Sequence, residues 1–460
     1  MAKLSHITDY TALWHRFVFN NTAIYISTRN ADWFIPNPSG DAVLQSGDPG
    51  MISHQNPDTR LFLSSLPAIR PGVYKGRSHM LKPDGLRELW FHVTNRCNLS
   101  CTHCLFSSSP SDALQLPLEN IVSISDDAYQ NGCRLFALTG GEPFVHPDSD
   151  QIITTLLGRA GSHVVVLTNG MAALPFLERH NPDPAYFHLQ ISVDGLEENH
   201  DRIRSAGSFK KLSVTLKKLK DRGYPFTLSM CVNRDNVHDM PGFVDFAGDM
   251  GASNVHFMWY FIRGRGGRDC APDTDTVFDN LVVAADRARQ RGIPIDNLEA
   301  LRTQIFAPPG TIHDGSTAAW ESLAVGPDGA LYPSAALVGI LELSSDMTDG
   351  LISCWMNSPV LQQIRACTIA DQTSAFRFLL GGGDMDHSYI HNRTFMGHDP
   401  YDALHERLAL WLISIESSAR HDQDKPGVVL QMGDILESCG AHGGIAFVHS
   451  NCLLATSQND

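Results

Sequence analysis

Long apolar runs, a basic surplus and an N-terminal targeting pattern are all missing from this 460-residue sequence. No stretch is apolar for long enough to cross a bilayer, and the N-terminus MAKLSHITDYTALWHRF has no basic region followed by an apolar one. No membrane partner is therefore expected. Lys and Arg number 35 against 50 Asp and Glu, a formal charge of −15. That balance argues against non-specific binding to nucleic acid or to an anionic membrane surface. A cytoplasmic placement is expected, in which the 10 cysteines are metal ligands or buried thiols rather than disulfides. The hydrophobic share of 43% suffices for a real core, and the length suits about two to four domains.

What the chain does have is Cys97, Cys101 and Cys104 in the stretch CNLSCTHC, directly after the apolar, strand-like run Leu89 to Val93. Thiolates in this C-x3-C-x2-C spacing suit an iron–sulfur cube, whose remaining iron would have no protein ligand nearby. Zinc is the rival: C-x2-C is a common half-site, but no second ligand pair follows at ribbon or finger spacing. Three buried cysteines clustered by chance are the blandest alternative.

Later segments repeat one pattern, a strand-like run closed by a polar turn. Leu135 to Leu138 leads into Thr139-Gly140-Gly141-Glu142-Pro143, where paired glycines allow close backbone approach and the proline fixes the turn. His163 to Leu167 ends in Thr168-Asn169-Gly170, and Phe187 to Val193 runs into Ser192-Val193-Asp194-Gly195 and then LEENHDRIR. Together with the cysteines, these segments resemble the signature of the radical S-adenosylmethionine (radical SAM) enzymes, in particular the subgroup that modifies peptides and proteins. The resemblance implies a [4Fe–4S] cluster on Cys97, Cys101 and Cys104, with S-adenosylmethionine (SAM) bound at the open iron. It implies that reduction splits SAM to a 5′-deoxyadenosyl radical that takes a hydrogen atom from the substrate. Gly140, Gly141 and Glu142 would then serve the SAM amino group, with Asn169 at the next strand end. Ser192 and Asp194 would serve the ribose or carboxylate, and Arg204 would pair with the carboxylate.

Strand-like runs at 89–94, 135–138, 163–168, 187–193, 226–232 and 255–261 alternate with helix-length stretches. One such stretch is Phe209 to Arg222, with Leu212, Val214, Leu216 and Leu219 as its apolar residues. Alternation of this kind predicts parallel strands joined by right-handed crossovers, with ligands at the carboxyl ends. The expected fold is α/β: a partial (β/α)6 TIM-like barrel, which is also the radical SAM core, spanning 85–270. The glycines and arginines of FIRGRGGR are expected to close the adenine pocket. Upstream, 1–84 holds a short strand at Ala23 to Ile26, Trp33-Phe34-Ile35, and Ser39 as cap of a short helix. It resembles a small winged-helix module that binds peptides as an added strand; a hairpin merely packed on the barrel is the alternative. Gly47 to Asp84 reads as a linker or irregular cover.

From 271 to 460 the chain changes character. WESLAVGPDGALYPSAAL pairs two apolar runs across Pro327-Asp328-Gly329, a hairpin signal. It resembles the opening of the SPASM or twitch extension, which carries auxiliary iron–sulfur clusters, although the family's YPC reads YPS here at Ser334. Cys354, Cys367, Cys439 and Cys452 remain as ligands for a possible second site, with His442 and His449 beside the last two. Asp384, Asp386, His387 and His391 offer a further set, more simply read as a polar loop. Cys231 and Cys270 are either hydrogen-atom donors or core thiols. The expected activity is SAM cleavage with modification of a peptide or protein side chain. The expected partners are a precursor peptide and an electron donor such as flavodoxin or ferredoxin. A small-molecule radical SAM enzyme, or a SAM- and peptide-binding accessory protein, are the alternatives.

Overall fold

The computed structural model describes residues 10–46, 56–68, 74–80, 85–417 and 425–434. Its main sheet has eight strands: β4 (Glu88–Thr94), β5 (Leu135–Gly140), β6 (His163–Thr168), β7 (Phe187–Ser192), β8 (Phe226–Val232) and β9 (Asn254–Trp259), followed by β10 (Ser322–Val325) and β11 (Leu331–Tyr332). The first six are parallel and adjacent in chain order, and they lie where the six apolar runs predict. Burial on both faces explains why the runs are nearly continuous rather than alternating: all seven residues of β8 are buried. The order runs from β11 to β9, so the sheet is a partial barrel with its two ends unpaired to each other among the described residues.

The crossover helix after β7 occupies Ser208–Asp221 and buries Leu212, Thr215, Leu216 and Leu219. Val214 does not join them and is 52% exposed. At 100° per residue it lies on the face opposite Leu212 and Leu216, where Thr215 is the better-placed neighbour.

The hairpin predicted around Pro327-Asp328-Gly329 forms as β10 and β11. It is not separate from the barrel, because β10 pairs in parallel with β4 and lengthens the main sheet.

A second sheet is built from β1 (Trp14–Phe19), β2 (Thr22–Ser27), β3 (Trp33–Pro36) and β12 (Val428–Gln431), in that order. Asn20 and Asn21, both with positive φ, turn β1 into β2. Successive side chains of β2 and β3 point to opposite faces. Ile24, Ile26, Trp33 and Ile35 enter the barrel's core, while Tyr25 and Phe34 join Tyr10, Trp14, Val43, Leu44 and Phe62 in a smaller core. The module thus packs on the barrel and also has an interior of its own. The indole Nε1 of Trp33 donates to the Ile305 carbonyl at 2.8 Å.

Two details depart from expectation. The helix Pro38–Ser46 includes Ser39 within it, and the capping acceptor is Asn37 Oδ1, 2.8 Å from Gly40 N. An Asx side chain directly before a proline-initiated first turn is the stronger cap. The stretch Gly47 to Asp84 is more than a linker: it holds the helix Pro57–Ser65, capped by Asn56. It also holds Arg77, which is buried, donates to the Asp314 and Ser316 carbonyls and lies 4.7 Å over the Trp320 ring. No described helix is long and apolar enough to cross a membrane.

Candidate active site

The loop leaving β4 carries the three cysteines. Cys97 and Cys101 are buried and Cys104 is half-buried, and none is in a disulfide. Neighbouring strand ends hold this loop from several sides. Asn169 Nδ2, after β6, donates to Asn98 Oδ1 at 2.7 Å. Thr102 N donates to the Ile203 carbonyl at 3.0 Å. From beyond β9, Arg265 donates through Nε to the Cys101 carbonyl at 2.7 Å and through Nη2 to the Ser108 carbonyl at 3.0 Å. Gly264 has φ +65, and a Cβ there would overlap the Cys104 and Leu105 carbonyls. FIRGRGGR clasps the cysteine loop through Arg265, while Arg263 donates to the carbonyls of Ala336 and Val338.

Gly140 and Gly141 are pressed against the same loop. Gly140 has φ +127, a conformation open to glycine, and Gly141 N donates to the Thr94 carbonyl at 2.7 Å. A Cβ on Gly141 would overlap the carbonyls of Arg96 and Asn95. Glu142 turns inward and is fully buried. Its carboxylate accepts from Thr168 Oγ1 at 2.7 Å, Asn169 N at 2.8 Å and Phe144 N at 3.2 Å. Burial pushes this carboxyl above its usual range despite the three donors. Glu142 thereby braces the ends of β5 and β6.

At the end of β7, Ser192 is half-buried, and Asp194, just beyond it, is fully buried. Arg204 Nε donates to Asp194 Oδ2 at 2.6 Å, and Cys231 N, on β8, donates to Asp194 Oδ1 at 3.0 Å. His103 Nε2 stands 2.9 Å from Asp194 Oδ2. Burial alone would push the Asp194 carboxyl up, but Arg204 and His103 reverse this and hold it far below the usual carboxylate range. Arg204 is held above its usual value against burial, by Asp194 first and by the nearby Cys101 thiol next. Among the described residues, Arg204 pairs with Asp194. Sequence reasoning does not single out His103 or Asn98. His103 carried the clearest signal, an imidazole inside CTHC between two of the proposed ligands.

Of the candidate second-site ligands, Cys354 and Cys367 lie among the described residues, in separate surroundings. Cys354 is buried near Ser345 and Asp346, while Cys367 stands beside Arg77 and Asp314. Cys439 and Cys452, with His442 and His449, lie outside the described residues. Ser334 Oγ donates to Asp386 Oδ1 at 2.6 Å. Asp384 caps the helix Met385–Asn392, accepting from His387 N at 2.8 Å. The His387 ring stacks on Phe261 at 3.8 Å, and His391 is exposed. Burial and the neighbouring Asp384 raise the Asp386 carboxyl to about 8.

The chemistry of the donor set fits an iron–sulfur cube. Three free thiols share one loop, and that loop is pinned by backbone contacts no side chain could replace; burial raises the Cys101 thiol, and the Arg204 guanidinium opposes that rise. Among the described residues no three His, Cys, Asp or Glu side chains are grouped to hold a single metal ion. A cube takes one thiolate per iron and does not need such a grouping.

Residues 91–247 match the family model of the radical SAM superfamily. The chain carries a radical SAM domain. The matched span of this domain runs from within β4 into the helix after β8, and so covers the cysteine loop and the ends of β5 to β7. Among curated relatives, the antilisterial bacteriocin subtilosin biosynthesis protein AlbA of Bacillus subtilis is 28% identical over 60% of this chain and 60% of its own length. The AdoMet-dependent heme synthase of Methanosarcina barkeri is 28% identical over 39% of this chain and 52% of its own. The chain thus spans under two thirds of the length of either relative. The fold is similar to that of Streptococcus suis SuiB, solved bound to precursor peptide SuiA, with a TM-score of 0.57, 13% identity, and coverage of 85% of this chain and 99% of that one.

Proposed function

We propose that this protein reductively cleaves S-adenosylmethionine and uses the resulting radical to modify a side chain of a peptide or protein. The observation that carries the reading is the stitching of the cysteine loop to the ends of β5, β6 and β7 through Gly141, Asn169 and the Asp194–His103 contact. Parallel α/β barrels build their sites at these carboxyl ends. When bound, a [4Fe–4S] cluster with SAM supplies one-electron cleavage and a carbon radical; the protein supplies orientation and exclusion of water and oxygen.

In this reading Cys97, Cys101 and Cys104 hold the cluster. Gly140 and Gly141 let the backbone come close to SAM, and Ser192 and Asn169 present polar groups beside it. Glu142 and the Asp194–Arg204 pair fix the strand ends. An electron donor such as flavodoxin or ferredoxin supplies the electron, in the cytoplasm. Residues 85–270 form the catalytic barrel, 1–84 the peptide-recognition module, and 271–460 a SPASM-like cover in which a Ser334–Asp386 pair stands where the family places cysteines.

A peptide is favoured over a small molecule by the N-terminal sheet, which adds an extended segment at its edge, and by similarity to AlbA, a bacteriocin biosynthesis protein, and to SuiB, solved with its precursor peptide. The heme synthase relative keeps a tetrapyrrole in view as the second reading. The deciding experiment incubates the reconstituted protein anaerobically with SAM, reductant and the product of any short precursor gene beside its own. A mass change in the peptide, matched by 5′-deoxyadenosine, is expected. An unchanged peptide alongside turnover of an iron porphyrin precursor would replace this reading with the small-molecule one.

A further inference from the structure

The edge of β3 is closed by the chain's own C-terminal segment. β12 lies antiparallel to β3, with Val428 opposite Pro36, Leu430 opposite Ile35 and Gln431 opposite Phe34. Asn37 grips it with its side-chain amide: Nδ2 donates to the Lys425 carbonyl at 2.6 Å, and Oδ1 accepts from Gly427 N at 3.0 Å. Backbone bonds extend the grip, from Asn37 N to the Gly427 carbonyl at 2.9 Å and from Met432 N to the Trp33 carbonyl at 3.0 Å. Leu430 and Met432, two residues apart and so on one face, are buried in the same core as Trp33 and Ile35.

This attachment is short and irregular. Only four residues form the strand, and a register shift breaks the ladder between Val428 and Leu430. Pro36, opposite Val428, has no N–H to give. The Lys425–Asp58 ion pair is exposed and adds little. The residues leading to the segment, SARHDQD at 418–424, offer no large apolar side chain. Yet β3 is wholly buried beneath this strand, so an edge left open would present both its backbone groups and apolar surface.

We propose that Lys425–Met432 is a detachable resident strand. It closes the β3 edge in the free protein, and an extended peptide with apolar side chains at alternate positions, as at Leu430 and Met432, takes that edge by displacing it. Peptide engagement is thereby coupled to release of the C-terminal segment. The identity of the displacing peptide as substrate rests on the function proposed above; the exchange itself does not, and its test uses neither SAM nor turnover.

The probe is a fluorescent synthetic peptide of residues 425–434, KPGVVLQMGD, offered to the full-length protein. Val429→Pro and Leu430→Asp each weaken the resident strand without touching β3. Folded variants, judged by circular dichroism, should bind the peptide about tenfold tighter than wild type, because the resident no longer competes. Folded variants that bind no better than wild type overturn the proposal. Hydrogen exchange on the wild type decides independently of how the variants fold. The Met432 amide should exchange at least about a hundredfold faster than amides of β7, as expected of a locally opening element. Equal protection would make β12 a fixed strand and overturn the proposal.

Discussion

Arg204 Nε and Asp194 Oδ2 stand 2.6 Å apart, with Asp194 fully buried and the Arg204 side chain only 11% exposed. The pair joins the end of β7 to the helix Glu197–Ile203, whose last turn in turn receives Thr102 N from the cysteine loop. An ion pair this deep is costly to break, because the surviving charge is left without compensation. Asp194→Asn should therefore lower unfolding stability by about 3–5 kcal/mol at neutral pH, as read by chemical denaturation. The pH dependence follows from the sign of the shift. Asp194 has a folded value below its unfolded one, so its contribution is complete above the unfolded value and is lost as pH falls below it. The gap between wild type and Asp194→Asn should close on acidification below about pH 4.

Gly141→Ala places a methyl group against backbone carbonyls of the cysteine loop rather than against a flexible side chain. The loop must then shift, and anaerobic reconstitution should yield less iron per chain and weaker SAM binding. Gly267→Ala is the control: its Cβ would meet nothing within 4 Å. Equal iron loading of the two variants would show that the close approach at Gly141 does not position the thiols.

Asp386 gives the opposite pH behaviour from Asp194. Its folded value, about 8, lies above the unfolded one, so the folded state holds the proton through the interval between them. Stability must then fall as pH rises from about 4 to 8. Asp386→Asn keeps an acceptor for Ser334 and removes the titration, so its stability should be flatter across that interval. Parallel curves for variant and wild type would place the titration elsewhere.

The separate surroundings of Cys354 and Cys367 predict that replacing both by Ser leaves iron content unchanged. Loss of iron in that double variant, with the protein still folded, would require a second cluster that draws on them.

The barrel was legible because each of β4 to β9 is an apolar run ended by a polar turn, a pattern short-range enough to read along the chain. The placement of GGEP and SVDG at strand ends followed from the same pattern. Pairings over distance were not legible. Arg204 presents the same residue type whether it binds a ligand or Asp194, and only the fold brings His103 beside that carboxylate. Val214 was misplaced by reading spacing of two where a helix buries three and four. β12 escaped notice because VVLQ is four residues long and its partner, β3, lies nearly the whole chain away.

The most direct test of the central claim is 5′-deoxyadenosine formation by anaerobically reconstituted protein given SAM and a strong reductant. The wild type should form it, and the protein carrying Cys97→Ala, Cys101→Ala and Cys104→Ala together should form none. Continued formation by the triple variant, or SAM that is bound and never cleaved by the wild type, would contradict the account.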